Sequence, residues 1–282
     1  MSATSARRWS SRLAAPLVRR MLRSMSVVCP ANAAEEQALR KLCAEAAFGP
    51  VGDLKAVAAC AGASSTAAAP SALTDAILAC CSAGRFVWVA ASTHAGEEAE
   101  AATAHARLCA EGKPLAIIAP RHPARAATVV AELAQQHPSL RFALLSRDGA
   151  YAVEHSDIYV VDAFGLLPEL YAAASVAFVG NSLAPGGKGH NLAEAAAGHC
   201  VVLAGPYLGP FASIAEHLCA ANAMSIVANA TELYAALLEL RNAPEDCARR
   251  GAAASAASAG LAAGVLQRVF DAVNAALALD TC

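Results

Sequence analysis

The feature that most constrains the fold is a regular alternation of short apolar runs with helical segments after Arg85. Short apolar runs bounded by turn-forming residues are typical of buried strands, and helices between them favour parallel pairing. The alternation therefore predicts an α/β fold with a doubly wound parallel sheet. The predicted strands are 86–90, 115–118, 142–145, 158–161, 176–179, 200–203 and 224–227, and the predicted helices are 97–109, 124–137, 167–173, 191–197, 211–219 and 231–241, with a helical tail after Pro244.

The segment 176–203 contains a strand, a glycine-rich loop, a helix and a second strand. The glycine-rich stretch 186–189 lets the main chain approach a ligand closely, and Asn191 is a favoured N-cap for the helix that follows. Because free N–H groups and the positive end of the helix dipole point into such a loop, it favours anion binding. Glu194, in the first helical turn, is placed to hydrogen-bond sugar hydroxyls. A βα turn that binds no ligand explains this loop equally well by itself.

Polar residues also follow three other predicted strands, at 92–97, 120–123 and 162–165. Ligands of doubly wound sheets bind beyond the carboxyl ends of the strands, so all four loops should meet there. Arg121 is permanently charged and can pair with a phosphate through two N–H bonds. A single arginine or histidine is more often structural, and Glu97 has a structural explanation at the positive end of its helix. Four converging loops nevertheless favour a site for a phosphate joined to a sugar, with His94, His122, His190, Ser92, Thr93, Ser182 and Glu194 as further polar groups.

Composition and missing motifs exclude several classes of function. The 282-residue chain has a net charge of −2 and a pI near 6.4, so nothing favours nucleic acid. Alanine is the largest single part of its 57% hydrophobic content, and without a run of about eighteen strongly apolar residues no transmembrane helix is expected. Ten scattered cysteines without a C-x-x-C pair indicate reduced thiols rather than disulfides or a zinc site. The P-loop, dinucleotide, serine-hydrolase and metalloprotease motifs do not occur, so no cofactor and no metal are expected.

The first 26 residues contain six arginines, several serines and no acid. This pattern is typical of a mitochondrial or plastid transit peptide, and an ordinary basic helix is the alternative. A helix is expected at 33–47, and the Ala/Ser/Thr/Gly-rich stretch 56–73 is expected to be a flexible linker. The predicted organisation is therefore 1–55, a linker at 56–84 and a ligand-binding domain at 85–282.

Four motifs closely resemble those of the 3-deoxy-D-manno-octulosonic acid (Kdo) transferases. They are WVAASTHAGEE at 88–98, PRHPAR at 120–125, the loop and helix start at 182–195 with one extra residue, and GDLK at 52–55 with Asp in place of Asn. This family consists of two-domain GT-B glycosyltransferases that transfer Kdo from CMP-Kdo to a lipid A precursor. Plant-type members are similar in their HNxxEAAA run. The resemblance implies a Rossmann-like donor domain and a role in lipid A biosynthesis.

The resemblance also implies which residues contact CMP. The family's contacts are a Pro-Arg pair, a M-G-E-like turn and an N-x-x-E sequence at a helix start. Leu166 stands where the family has Glu, so a side-chain contact is lost there and only main-chain contacts are expected. The substrate-binding residues predicted in this way are Pro120, Arg121, Phe164, Gly165, Leu166, Asn191, Leu192, Ala193 and Glu194, together with His190 and Ser92.

The family's N-terminal domain binds the lipid acceptor and supplies a glutamate general base. Residues 1–36 resemble only the closing part of that domain, so no catalytic residue is expected in this chain, and the basic segment is interpreted as part of the domain rather than a transit peptide. We expect a donor-binding half that binds CMP-Kdo but transfers Kdo poorly alone. Three explanations stay open: a truncated Kdo transferase, a donor-binding subunit with a separate acceptor-binding partner, and a GT-B enzyme for another nucleotide sugar such as a UDP-sugar.

Two locations are compatible with these features. The plant-type resemblance implies a mitochondrial protein. A helix bearing Arg19, Arg20 and Arg23 suits the surface of an anionic membrane, although a solvated basic face explains it equally well.

Overall fold

A computed structural model of the chain describes residues 9, 11, 13–54, 57–58 and 71–279. They fall into two compact units: residues 61–257, here called the sheet unit, and residues 1–60 with 258–282, here called the terminal unit. Arg7, Arg8, Arg12, Lys55 and most of the predicted linker lie outside the described residues.

The sheet unit is built on a seven-stranded sheet in which every pair of neighbouring strands is parallel. The strand order is β3-β4-β2-β1-β5-β6-β7. All seven predicted strands are confirmed, with ends shifted by three residues at most. The strands are β1 (Val87–Thr93), β2 (Leu115–Pro120), β3 (Phe142–Leu144), β4 (Ile158–Val160), β5 (Val176–Val179), β6 (Val201–Ala204) and β7 (Met224–Ile226).

The central strand β1 pairs with β2 on one side and with β5 on the other. The chain therefore builds the sheet outward from β1 in both directions, and the crevice beyond the carboxyl ends of β1 and β5 is its topological switch point. The loop after β1 and the glycine-rich loop after β5 border this crevice. The fold thus places two of the predicted polar loops, those after β1 and β5, side by side.

Helices cover the sheet, and the predicted helices 97–109 and 167–173 are confirmed to the residue. Side chains of the helices Glu97–Cys109, Ala126–Gln136 and Ala230–Asn242 join those of the strands in one apolar cluster that includes Trp88 and Phe178. Fully burying each such side chain contributes about 1.5–3 kcal/mol. The helices of the sheet unit are α3 (Ala72–Ser82), α4 (Glu97–Cys109), α5 (Ala126–Gln136), α6 (Leu145–Asp148), α7 (Leu167–Ala173), α8 (Leu192–Ala197), α9 (Ala212–Ala220), α10 (Ala230–Asn242) and α11 (Pro244–Ala262), the last of which continues past residue 257.

Helix α3 corrects part of the predicted linker at 56–84. Ser71 caps this helix, and its side chain also hydrogen-bonds Glu169. Leu73, Ala76, Ile77 and Cys80 are buried at helical spacing. Because most of the surrounding residues are small, the composition resembled a linker and concealed this apolar face.

The terminal unit contains α1 (Ala15–Arg23), α2 (Ala33–Leu42) and α12 (Val265–Leu279). Val18 and Leu22 of α1 are buried in a cluster with Leu39 and Leu42 of α2. The Arg19 side chain donates to the Leu42 carbonyl at 2.8 Å. Residues 15–23 of the basic segment therefore form a helix that packs against α2.

The helical run Pro244–Ala278 is long and apolar enough to cross a membrane by length and composition. The sequence analysis expected no such helix because it required strongly apolar residues, whereas this run is rich in alanine. Core helices of soluble proteins pass the same test, so the finding is weak evidence for a membrane segment.

Candidate functional site

A cavity lies beyond the carboxyl ends of β1, β2 and β4. It is lined by three loops that the sequence could place only at the ends of separate strands. The rest of its lining is apolar, from residues such as Val161 and Leu170. Six predicted substrate-binding residues meet here: Ser92, Pro120, Arg121, Phe164, Gly165 and Leu166.

Ser92 occupies a β-bulge at the end of β1. Pairing with β2 passes directly from Ala91 to Thr93, and Ser92 adopts a φ of +53°. This left-handed conformation is uncommon for a residue other than glycine, and such strain concentrates at functional sites. The bulge lets Ser92 line the cavity while Thr93 stays buried and hydrogen-bonds Glu98.

Arg121 is exposed at the cavity, and within the described part of the chain its guanidinium has no acidic partner. Its amide donates to the Thr93 carbonyl at 3.0 Å, which fixes the main chain beside β1. Arg125, in the same motif, instead pairs with the buried Glu98 at 3.0 Å. Arg121 is thus the arginine of this motif that a ligand can reach.

Phe164 presents a ring that is 74% exposed at the same cavity. Gly165 follows it with a φ of +85°, a conformation that glycine adopts without strain. An exposed aromatic face beside a cationic side chain offers a stacking surface for a planar ring.

The most strongly bonded acid of the site is Glu97, the first residue of α4. Its side chain is only 4% exposed and accepts four main-chain hydrogen bonds. One comes from the His94 amide at 2.9 Å, and three come from the start of the glycine-rich loop: Asn181 at 2.6 Å, Ser182 at 2.8 Å and Leu183 at 3.1 Å. Glu97 therefore ties the loop after β5 to the loop after β1.

Sequence reasoning missed this role, because Glu97 was explained by its position at a helix start. Gly180 supplies a structural reason for the packing. A Cβ there would lie 2.6 Å from Oε2 of Glu97 and 2.7 Å from the Ser92 carbonyl oxygen. The signal in the sequence was a glycine directly after β5 together with an acid at the start of α4, the helix that follows β1.

Three histidines from three loops lie together at the switch point. Nε2 of His94 lies 3.1 Å from Nε2 of His190, and the His94 and His122 rings meet edge to face with centroids 6.0 Å apart. Burial lowers the pKa of His190, and the neighbouring His94 and Arg121 lower it further. No group of three or more side chains in the described ranges is arranged to hold a metal ion.

Asn191 is the N-cap of α8, as predicted. Its Oδ1 accepts from the Ala193 amide at 3.2 Å, and its Nδ2 donates to Oε1 of the half-buried Glu194 at 3.1 Å. Leu192 and Ala193 are fully buried, and the Ala193 amide is bonded to Asn191, so neither residue is exposed at the surface of this structure. Helix α8 has six residues and begins one residue later than predicted.

Comparison with known proteins decides the family. No family model matches the chain. A protein of Arabidopsis thaliana named "Probable 3-deoxy-D-manno-octulosonic acid transferase, mitochondrial" is 35% identical over 236 residues, which are 83% of this chain and 51% of that protein. The chain belongs to the Kdo transferase family. A Kdo transferase of Bordetella pertussis is 38% identical over 197 residues, 68% of this chain and 45% of the relative. The chain thus spans about half the length of the curated Kdo transferases it matches.

Solved structures agree with this family and confirm the GT-B-type donor fold. The C-terminal CMP-Kdo binding domain of WaaA from Acinetobacter baumannii has a TM-score of 0.59 and 28% identity, covering 66% of this chain and 97% of that domain. HepE from Anabaena, in complex with UDP and glucose, has a TM-score of 0.55 and covers 98% of this chain and 69% of its own. Its 17% identity restricts that likeness to the fold.

Proposed function

We propose that the sheet unit binds CMP-Kdo at the cavity around Arg121, as the donor-binding part of a glycosyltransferase that passes Kdo to a lipid A precursor. The observation that carries the proposal is the guanidinium of Arg121, which has no acidic partner among the described residues and lies in a cavity built from the motifs of the Kdo transferase family. The WaaA domain that matches the sheet fold is itself described as a CMP-Kdo binding domain.

The chemistry of the cavity suits a cytidine monophosphate. The Arg121 guanidinium offers two parallel N–H bonds to a phosphate, and the exposed Phe164 ring offers a face to the pyrimidine. Leu166 has no carboxylate, so in the turn at 164–166 only main-chain groups are available to hydrogen-bond the donor. Asn191 holds Glu194 at the start of α8, from which its carboxylate is available to ribose or sugar hydroxyls.

Catalysis by this chain alone is expected to be weak. In the family the general base belongs to the acceptor-binding domain, and the motifs matched here lie in the donor half. A positioned base contributes about 10²–10⁴-fold, and holding the acceptor hydroxyl near the anomeric carbon contributes more. We therefore propose that this chain binds the donor and that Kdo transfer requires an acceptor-binding part.

A comparison of the affinities for three nucleotides tests the proposal. The purified 282-residue chain is titrated with CMP, UMP and CMP-Kdo by isothermal calorimetry. The proposal predicts binding of CMP and CMP-Kdo, with UMP at least about tenfold weaker, a difference of about 1.4 kcal/mol. Preference for UMP would favour a UDP-sugar enzyme instead. Transfer of Kdo to a lipid A precursor by the chain alone would overturn the expectation of a dependent half.

A further inference from the structure

We infer that His94, His122 and His190 form a proton-linked subsite for a second anionic group of the donor, beside the phosphate position of Arg121. The inference rests on the proposed donor site and adds how that site would bind the second negative charge of the donor. The shared ligand chemistry is an oxyanion, either the sugar carboxylate or a further phosphate oxygen.

The first support is the placement of the three imidazoles. They come from the loops after β1, β2 and β5, and they converge although these loops are far apart in sequence. His94 and His190 are half-buried and His122 is exposed, so the cluster opens to solvent. The cluster therefore lies at the edge of the sheet where a ligand would enter, and not in the core.

The contacts of His105, a structural histidine of the sheet unit, differ from those of this cluster. His105 is fully buried, and its Nδ1 accepts from the Trp88 indole at 3.1 Å. His94 and His190 are instead hydrogen-bonded to each other through Nε2 at 3.1 Å. The Nε2 atoms of His94 and His190 thus face each other rather than a fixed donor, and a ligand oxyanion can complete this arrangement.

The second support is the proton arrangement of this pair. A hydrogen bond between two Nε2 atoms requires one nitrogen to carry a proton and the other to be bare. An oxyanion placed between them accepts from both only if the bare Nε2 of the pair gains a proton. When that proton comes from solvent, the pair acquires one positive charge that complements the anion.

The groups around His190 determine whether it gains a proton. The titratable and charged groups that face it are His94, Arg121, His122 and the carboxylate of Glu97. Burial lowers the pKa of His190, and the neighbouring His94 and Arg121 lower it further. The Glu97 carboxylate acts in the opposite direction, but four main-chain N–H groups offset part of its charge. Without a bound anion, a second positive charge near Arg121 is therefore disfavoured. An incoming anion removes this penalty.

Calorimetry in buffers of different ionisation enthalpy measures the proton directly. CMP and CMP-Kdo are each titrated at pH 7 in HEPES and in Tris, neither of which supplies a phosphate that would compete for the site, and the dependence of the heat on the buffer gives the number of protons taken up. We expect uptake of about half to one proton, with affinity falling by up to about tenfold per pH unit above neutrality. Equal uptake with both probes assigns the phosphate, and uptake with CMP-Kdo alone assigns the carboxylate.

Variants separate this subsite from the donor site as a whole. His190→Gln is expected to lose the proton uptake and to bind the donor more weakly, and His217→Gln, on the exposed face of α9, is the control that keeps both the uptake and the affinity. Thermal unfolding of both variants checks the fold, and His94→Gln provides the second variant if His190→Gln unfolds. Binding of both probes by the parent chain without proton uptake would overturn this inference alone. Failure of both probes to bind would overturn the proposed function as well.

Discussion

The carboxylate of Glu97 accepts a hydrogen bond from the amide of Asn181, 84 residues further along the chain, at a distance of 2.6 Å. Asn181 itself has a left-handed φ of +58°, and its carbonyl accepts from the Gly189 amide at 2.7 Å. This one acid thus sets the start of the glycine-rich loop, and through that loop the position of His190 and Asn191.

Replacing Glu97 with glutamine tests this control of the loop. Each carboxylate oxygen accepts two amide hydrogens, so the new NH₂ group would face two donors. Leaving buried amides unsatisfied costs about 1–3 kcal/mol. We expect a lower free energy of unfolding in urea and at least about tenfold weaker CMP binding.

The exposed Glu216 on α9 is the matched control, because Glu216→Gln should change neither quantity. A folded Glu97→Gln variant that binds CMP as tightly as the parent would show that the loop is positioned by other contacts.

The exposed ring of Phe164 leads to a second prediction. Stacking of a base on an aromatic side chain is worth about 1–3 kcal/mol. Phe164→Ala should therefore weaken CMP binding by roughly 5- to 150-fold in calorimetry. Because the ring is 74% exposed, the thermal midpoint should stay within about a degree or two of the parent value. Phe164→Tyr keeps an aromatic face and should restore affinity, and an alanine variant with parental affinity would place the base elsewhere.

The buried His105 predicts an acid-sensitive fold. Its Nδ1 accepts from Trp88, so its proton lies on Nε2, which has no partner among the described residues. Burial lowers the pKa of His105 from 6.5 to about 4. Between pH 6.5 and about 4, the unfolded chain therefore binds a proton at His105 that the folded chain does not. The contribution of His105 to the free energy of unfolding is complete above pH 6.5 and is lost as the pH falls towards 4.

Urea unfolding at pH 7 and pH 4.5 measures this effect. The loss of stability due to His105 approaches about 3 kcal/mol near pH 4. His105→Asn keeps an acceptor for the indole and removes the titrating group, so its stability should depend less on pH than that of the parent. An identical pH dependence in the two proteins would assign the acid sensitivity to other groups.

The strands and most helices could be predicted because their signals are local. The apolar runs of β2 and β5 lie between turn residues, and Gly198 follows α8 where the chain leaves the helix. Helix α3 was missed because its buried face, which includes Leu73 and Ile77, lies next to a low-complexity stretch of small residues. Amphipathic spacing is hard to detect where polar and apolar residues are both small.

The candidate site was predictable in its residue types but not in its contacts. The sequence placed Arg121 and Phe164 at strand ends, and topology brings them into one cavity. The bonds of Glu97 to the glycine-rich loop and of His94 to His190 join positions more than 80 residues apart, so no local pattern reports them. The burial of Leu192 and Ala193 likewise depends on how α8 packs, which the motif alone does not reveal.

The most direct test of the donor site is the CMP affinity of Arg121→Ala, measured by calorimetry beside the parent chain and Arg249→Ala. Arg249 is an exposed arginine on α11 that pairs with Asp246, so its loss controls for overall charge. Charge-assisted hydrogen bonds contribute about 1.5–3 kcal/mol, so Arg121→Ala should bind CMP roughly 10- to 150-fold more weakly while Arg249→Ala binds as the parent does. Equal CMP affinity in all three folded proteins would contradict the assignment of Arg121 as the phosphate-binding residue.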